Sequence, residues 1–302
     1  MCGICGELRF DGTRPDQQTL LNMMARLERR GPDAGGQYAA GPLALGHRRL
    51  SIIDLSERSS QPMVDRPLGL VLVFNGTIYN YPDLREQLRA RGYNFFSDGD
   101  SEVILKAYAE WGEDCPQHLQ GMFAFAVWDI NRQQLFLARD RLGIKPLYYS
   151  ITPQGLRFAS TSQALLSAGD VDTSIDPVAL HHHLSLHAVV PAPRTLLRGL
   201  RKLAPAHSLT FYADGNKKLR RYWRLDTRPP AELRSEWEWI EAIHEALLDA
   251  VEKRRSIADV PVGILLSGGL DSSLLVALLA EAGGGDLFTF SVGFEDQPEE
   301  KG

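Results

Sequence analysis

Cys2 stands directly after Met1 and opens the run Cys2-Gly3-Ile4-Cys5-Gly6. Removal of Met1, which a small following residue favours, leaves one residue with both a thiol and a free α-amine. The thiol can attack a carbonyl, and an amine with a reference pKa of roughly 7.7–8.0 can take its proton near neutral pH. Nucleophile and base then share a residue, and no distant histidine is required. A second stretch suited to chemistry is Ser267-Gly268-Gly269-Leu270-Asp271-Ser272-Ser273. It follows an apolar strand and opens a helix. Its glycines let the backbone approach a ligand closely. The first helical N–H groups and the hydroxyls of Ser267, Ser272 and Ser273 form a cradle for phosphate oxygens. The Lys of a Walker A loop is absent, so that chemistry does not apply. The plain alternative is a glycine turn with Asp271 capping the helix.

Mixed strands and helices must position these residues. Short β-like runs at 4–10, 71–74, 123–128, 134–138 and 147–149 are separated by turn residues. Residues 17–30 form an amphipathic helix with Leu20, Met23, Met24 and Leu27 on one face. Residues 101–111 do the same with Ile104, Ala107, Tyr108 and Trp111, and Asp100 is placed to cap that helix. Asn75-Gly76 carries a strong hairpin signal, and a tight turn is also a way to present an amide donor. The pattern predicts two sheets with helices packed outside. Polar, Pro-rich Asp226-Thr227-Arg228-Pro229-Pro230 reads as linker. A long helix at 237–256 then leads to a strand at 262–266, a helix at 272–281 and a strand at 287–292, a parallel βαβ unit.

Composition narrows the function. The 302 residues are 44% hydrophobic and 24% charged with a net charge of −5, which fits two globular domains and argues against nucleic acid as the main partner. The longest apolar stretch, 262–282, is broken by Ser267-Gly268-Gly269 and Asp271, so no membrane span is expected. No secretory signal is visible, and three cysteines fit a reducing cytoplasm better than a disulfide framework. Cys2 and Cys5 have the spacing of a redox pair but lack its strand and helix context, so Cys5 reads as a strand residue beside the nucleophile. Adjacent His181, His182 and His183 point different ways on a helix and do not predict a metal site.

Ser-Gly-Gly-x-Asp-Ser joined to Cys2-Gly3-Ile4 resembles the glutamine-dependent asparagine synthetase family. Matching segments include Arg30-Gly31-Pro32-Asp33, Gly46-His47-Arg48-Arg49-Leu50-Ser51-Ile52-Ile53-Asp54, Gln61-Pro62-Met63 and Phe74-Asn75-Gly76. Arg139-Asp140-Arg141-Leu142-Gly143-Ile144-Lys145-Pro146-Leu147 is another. The resemblance implies an α+β N-terminal-nucleophile hydrolase, an αββα sandwich, over residues 2–212, with a linker at 213–235. The start of an α/β parallel-sheet synthetase domain would occupy 236–302. It implies that Cys2 attacks the glutamine side-chain amide and releases ammonia, with Asn75 and Gly76 as oxyanion hole. Arg49, with Leu50, Ser51, Ile52 and Ile53, would hold the glutamine carboxylate, and Asp100 and position 77 the ammonium. Leu266 and Val292 would contact adenine, and residues 267–273 would hold the pyrophosphate of ATP with Mg2+. Ammonia would then reach an adenylated carboxylate. The expected partners are glutamine and that acceptor, with a homodimer as the oligomeric candidate and no nucleic acid or membrane.

Two departures qualify the resemblance. Thr77 stands where the family usually has Glu, which removes a charge near the glutamine ammonium. Such a charge-assisted hydrogen bond is worth about 1.5–3 kcal/mol. Thr161 replaces another common Glu. With the segment His187-Ala188-Val189-Val190-Pro191-Ala192-Pro193-Arg194-Thr195, these traits are most similar to N-acetylglutaminylglutamine amidotransferases, which amidate an acetylated dipeptide used as osmoprotectant. Aspartate as acceptor is the first alternative. A protein that keeps the fold but only binds glutamine, and a stand-alone glutaminase, are further ones. The family's synthetase domain also runs well beyond residue 302, so the sequence is expected to be incomplete at its C-terminus.

Overall fold

Strand β1 (Gly3–Arg9) is buried on both faces: Ile4 and Leu8 join one apolar cluster, Cys5 another. That places its sheet between two layers. The structure, a computed structural model, describes residues 1–228, 235–283 and 287–293. The chain divides into one compact unit, Met1–Asp226, and a second beginning at Thr227.

After β1 the first unit continues through α1 (Gln17–Ala25), β2 (Ala34–Ala40), β3 (Leu43–Arg49), β4 (Met63–Asp65) and β5 (Leu70–Ile78). Next come α2 (Tyr81–Ala90), α3 (Asp100–Trp111), α4 (Cys115–His118), β6 (Gly121–Asp129) and β7 (Gln134–Arg139). It ends with β8 (Tyr148–Thr152), β9 (Gly155–Ala159), α5 (Ser162–Leu166), α6 (Pro177–Ser185), β10 (Arg201–Lys202), β11 (His207–Tyr212) and β12 (Lys217–Arg221).

Two six-stranded sheets result, ordered β10-β8-β9-β1-β3-β2 and β12-β11-β7-β6-β5-β4, with every pairing antiparallel. Ile4, Leu8, Val71, Val73, Trp128 and Phe158 meet between the sheets. Leu20, Met23, Met24 and Leu27 cover the outside of the first sheet, and Leu84, Leu88, Ile104 and Tyr108 the outside of the second. This is the four-layer αββα arrangement. Period-2 strands buried on both faces and helices buried on one stripe dictate it.

Three local expectations change. The helix expected over 17–30 stops at Ala25 and continues as a 3₁₀ turn at Glu28–Arg30, while its four apolar residues stay buried. Asp100 is not the cap of α3; Gly99 is, and the Asp100 side chain points elsewhere. Residues 213–235 are not all linker. Lys217 pairs with Phe211 and Arg221 with His207, so the first unit runs to Asp226 rather than 212. The run Lys217-Lys218-Leu219-Arg220-Arg221 looks like a loop because it is a charged edge strand. Lys218 and Arg220 are satisfied by Glu113 at 2.7 Å and Asp114 at 2.6 Å. The Pro229-Pro230 part of the expected linker lies outside the described residues.

In the second unit, α7 (Glu236–Ser256) begins with a capping box between Ser235 and Glu238. It is followed by β13 (Gly263–Leu265), α8 (Leu270–Glu281) and β14 (Phe288–Phe290). The two strands pair in parallel, Gly263 with Phe288 and Leu265 with Phe290. Strand, helix and parallel strand place the 267–273 loop at the C-terminal end of β13.

Candidate active site

A cavity of about 120 Å³ in the first unit is lined by Cys2, Arg49, Leu50, Ile52, Ile53, Asn75, Gly76, Thr77 and Asp100. The residues named come from four separate stretches of chain. Of the residues expected to meet glutamine, Ser51 alone is not in the lining; its N–H donates to Asp33 Oδ2 at 2.8 Å.

Cys2 lies at the start of β1, and its Sγ accepts from the N–H of Leu50 at 3.3 Å. Burial pushes the Cys2 thiol up, and this N–H works against it by favouring the thiolate. Arg30 Nε donates to the Cys2 carbonyl at 3.0 Å, which fixes the terminus from behind. Cys5 is fully buried on the other face of β1 with its thiol pushed up to about 12 by desolvation, so it is inert.

Asn75 and Gly76 do not form a hairpin. Both sit inside β5, paired with Ala124 and Phe123 of β6. Phe123 spends its N–H and carbonyl on Asp140, at 3.2 and 2.8 Å, and therefore faces away from β5. On the opposite side of β5, the Phe74 N–H donates to Gln61 Oε1 at 2.6 Å and the Ile78 N–H to Asp100 Oδ2 at 3.0 Å. Alternation turns the Gly76 N–H to that same side, into the cavity. A Cβ at Gly76 would lie 2.2 Å from the Met122 carbonyl oxygen and 2.8 Å from Phe123 Cα, so the glycine serves close approach of two strands, not a turn. The Asn75 side chain is fully buried, and neither its oxygen nor its nitrogen has a hydrogen-bond partner among the described residues. An orphaned buried amide costs about 1–3 kcal/mol, and one facing a cavity marks a ligand's place.

Arg49, 8% exposed, donates to the carbonyls of Ser56, at 2.9 Å, and Asp54. It thereby closes the 50–56 loop, with its remaining N–H groups available to the cavity. Asp54, at φ 46°, ties the loop further by accepting from the Ser59 hydroxyl at 2.5 Å and the Asp98 N–H at 2.9 Å. Asp100 is buried at the first turn of α3, and desolvation pushes its carboxyl up to about 7 despite the N–H of Ile78. Thr77 brings no charge to the cavity, so among the described residues Asp100 is the sole carboxylate of its lining.

In the second unit, Gly268 adopts φ +81° and Gly269 caps α8, with Asp271 at the second helical position rather than the cap. The Ser267 and Ser272 hydroxyls lie 3.1 Å apart, and Ser273 Oγ donates to the Gly269 carbonyl at 2.9 Å. A Cβ at Gly268 would meet nothing within 4 Å. Hydroxyls and free helical N–H groups around open space suit phosphate oxygens. Leu266 is already engaged: its N–H donates to the Phe290 carbonyl at 2.8 Å and its carbonyl accepts from Ser291 Oγ at 2.7 Å. Any adenine contact there shares these groups, whereas Val292 is 79% exposed.

The family model for the glutamine amidotransferase domain matches residues 1–223, and that for asparagine synthase matches 242–302. The chain belongs to the glutamine amidotransferase domain family. It is 37% identical over 303 residues to asparagine synthetase [glutamine-hydrolyzing] 3 of Bacillus subtilis, covering 98% of this chain and 48% of that protein. Asparagine synthetase [glutamine-hydrolyzing] 1 of the same organism is 38% identical over 300 residues, covering 98% and 46%. The chain thus spans about half the length of the curated relatives it matches. Among solved structures, the B. subtilis glutamine phosphoribosylpyrophosphate amidotransferase superposes with a TM-score of 0.55 at 17% identity, covering 96% of this chain and 65% of that one. That likeness is one of fold, and it fits the αββα sandwich of the N-terminal-nucleophile hydrolases.

Several residues in and behind this cavity went unassigned in the sequence. Gln61 joins Phe74 of β5 to Ser101 of α3, at 2.6 and 3.2 Å. His47 is buried and donates from Nε2 to the Phe74 carbonyl at 3.2 Å; burial pulls its pKa down to about 3, so it is a neutral strut and not a base. Lys145 and Met122 also line the cavity. Gln61, His47, Lys145 and Arg30 all lie in motifs that carried the family resemblance, which was the available signal. Residue spacing alone gave none of them a role.

Proposed function

We propose that the first unit hydrolyses glutamine through Cys2 and feeds the ammonia to an ATP-dependent amidation of a carboxylate. The observation that carries this reading is the orphaned Asn75 amide beside the Gly76 N–H that strand alternation turns into the cavity that Cys2 lines.

With Met1 removed, the Cys2 amine takes the thiol proton as Sγ bonds to the glutamine amide carbon. The carbonyl oxygen becomes an oxyanion held by Asn75 Nδ2 and the Gly76 N–H. The amine then protonates the amide nitrogen, the C–N bond breaks, and ammonia leaves behind a γ-glutamyl thioester. Water cleaves the thioester to glutamate and restores the thiol. Arg49 binds the substrate carboxylate with the N–H groups not spent on Asp54 and Ser56, and Asp100 binds its ammonium.

In the second unit, the hydroxyls of Ser267, Ser272 and Ser273 and the first N–H groups of α8 would hold the phosphates of ATP, with Mg2+ as their counter-ion. ATP, when bound, supplies activation of the acceptor carboxylate. For the acceptor we favour N-acetylglutaminylglutamine, on Thr77 and the 187–195 segment. Aspartate is the competing acceptor, favoured by the names of the relatives.

A diazoketone analogue of glutamine tests the cavity. Mass mapping should place one adduct on Cys2, and excess glutamine should suppress it. Modification elsewhere, or no protection by glutamine, would count against the reading. Pyrophosphate release by the full-length protein, with each acceptor supplied in turn, decides between the two; robust turnover with aspartate alone rules out the dipeptide.

A further inference from the structure

Lys145 is 5% exposed and lines the cavity together with Met1 and Cys2. Its backbone is fixed independently of its side chain: the N–H donates to Asp140 Oδ2 at 2.9 Å and the carbonyl accepts from Arg139 Nε at 2.8 Å. Its ammonium makes no hydrogen bond or ion pair with the described residues. The fold treats its other buried lysine differently. Lys106, 6% exposed, is paired with Asp65 and, at 3.5 Å, with Glu102. Lys145 thus brings an unpaired ammonium to the cavity wall on a largely buried side chain, and a cation held there without an ion-pair partner is costly.

We propose that Lys145 is a positioning residue of the glutaminase site, whose unpaired ammonium beside the chain terminus keeps the N-terminal amine unprotonated and able to accept the thiol proton. This rests on the reading of Cys2 as nucleophile. The amine's neighbours are few. Lys145 and Arg30 are the cations facing it; the Cys2 thiol and Asp33 oppose them. Arg49 and Asp100 face Cys2. Burial, then Lys145 and Arg30, pull the Met1 amine, the terminus of the unprocessed chain, below its ordinary value. Removing Met1 moves the amine onto the nitrogen of Cys2, which lines the same cavity as Lys145 and whose carbonyl Arg30 holds at 3.0 Å.

The test is the pH profile of kcat at saturating glutamine, which the effect of Asp100 on KM does not enter, for this chain and its Lys145→Gln, Lys145→Met and Lys145→Arg variants, with intact mass confirming Met1 removal in each. Loss of the cation raises the amine pKa. The acid limb should therefore move up by about half to one pH unit in the Gln and Met variants. Their activity should fall about three- to tenfold on that limb and stay near the parent's above pH 9. The Arg variant should keep the parent profile. A limb unmoved in both neutral variants overturns the proposal, whether activity drops uniformly or only KM rises, as does failure of Arg to restore it. Should the neutral variants fold poorly, the terminal amine is titrated by isotopic reductive methylation in the parent and Arg variant. A reactive fraction that follows an unshifted amine pKa in the parent also overturns it. Hydrolysis persisting in Cys2→Ala would instead sink the nucleophile reading, which separates the two failures.

Discussion

The N–H of Ile78 donates to Oδ2 of Asp100 at 3.0 Å, joining the end of β5 to the first turn of α3. One carboxylate therefore fixes the strand and lines the cavity. Its pKa of about 7 is set by burial, so in the free site it gains its charge only as pH rises through neutrality. The KM for glutamine should fall between pH 6 and pH 8. Because the folded value lies above the unfolded one, the native state holds the proton more tightly between about pH 4 and 7, and stability falls as pH rises across that window. Asp100→Asn should raise KM about tenfold or more, yet raise the melting temperature at pH 8 and not at pH 4. A KM independent of pH in the parent would contradict this.

Asn75→Ala should separate activity from stability. Loss of an oxyanion donor costs about 10²–10³ in kcat, while removal of an orphaned buried amide leaves the melting temperature unchanged or higher. Gly76→Ala should instead lose both, since its Cβ meets backbone on β6 that cannot retreat. Thermal melts and steady-state kinetics on the two variants check the contrast.

Native alkylation should modify Cys2 alone. Cys5 and Cys115 are fully buried with thiols pushed far up by desolvation, and both should react only after unfolding. Peptide mapping before and after denaturant reads this directly. Early labelling of Cys5 would show that β1 opens in the native state.

Thr77→Glu restores a carboxylate to the cavity lining. A second charge-assisted partner for the ammonium is worth about 1.5–3 kcal/mol, so KM for glutamine should fall tenfold or more with kcat little changed. An unchanged KM would mean that position 77 does not meet the ammonium.

Much of this was legible in the sequence because strands and helices buried on defined faces leave strong periodic patterns. The short apolar β-like runs at 71–74 and 123–128 located β5 and β6, and the face Leu20, Met23, Met24, Leu27 located α1. Asn75-Gly76 misled because the dipeptide is a turn signal only when glycine is needed for positive φ; here it is needed for the absence of a Cβ. The edge strand Lys217–Arg221 was hidden by the charges that protect such edges. For Lys145 the motif around 139–147 was a signal, but its lack of an ion-pair partner belongs to three-dimensional packing and no spacing rule could show it.

The central claim is that Cys2, freed of Met1, is the nucleophile. Glutamine hydrolysis by the processed chain, with and without Cys2→Ala, tests it most directly. The account predicts ATP-independent release of ammonia and glutamate by the parent and loss of at least 99% of it in the variant. Hydrolysis surviving in Cys2→Ala, or equal hydrolysis by parent chain that retains Met1, would contradict it.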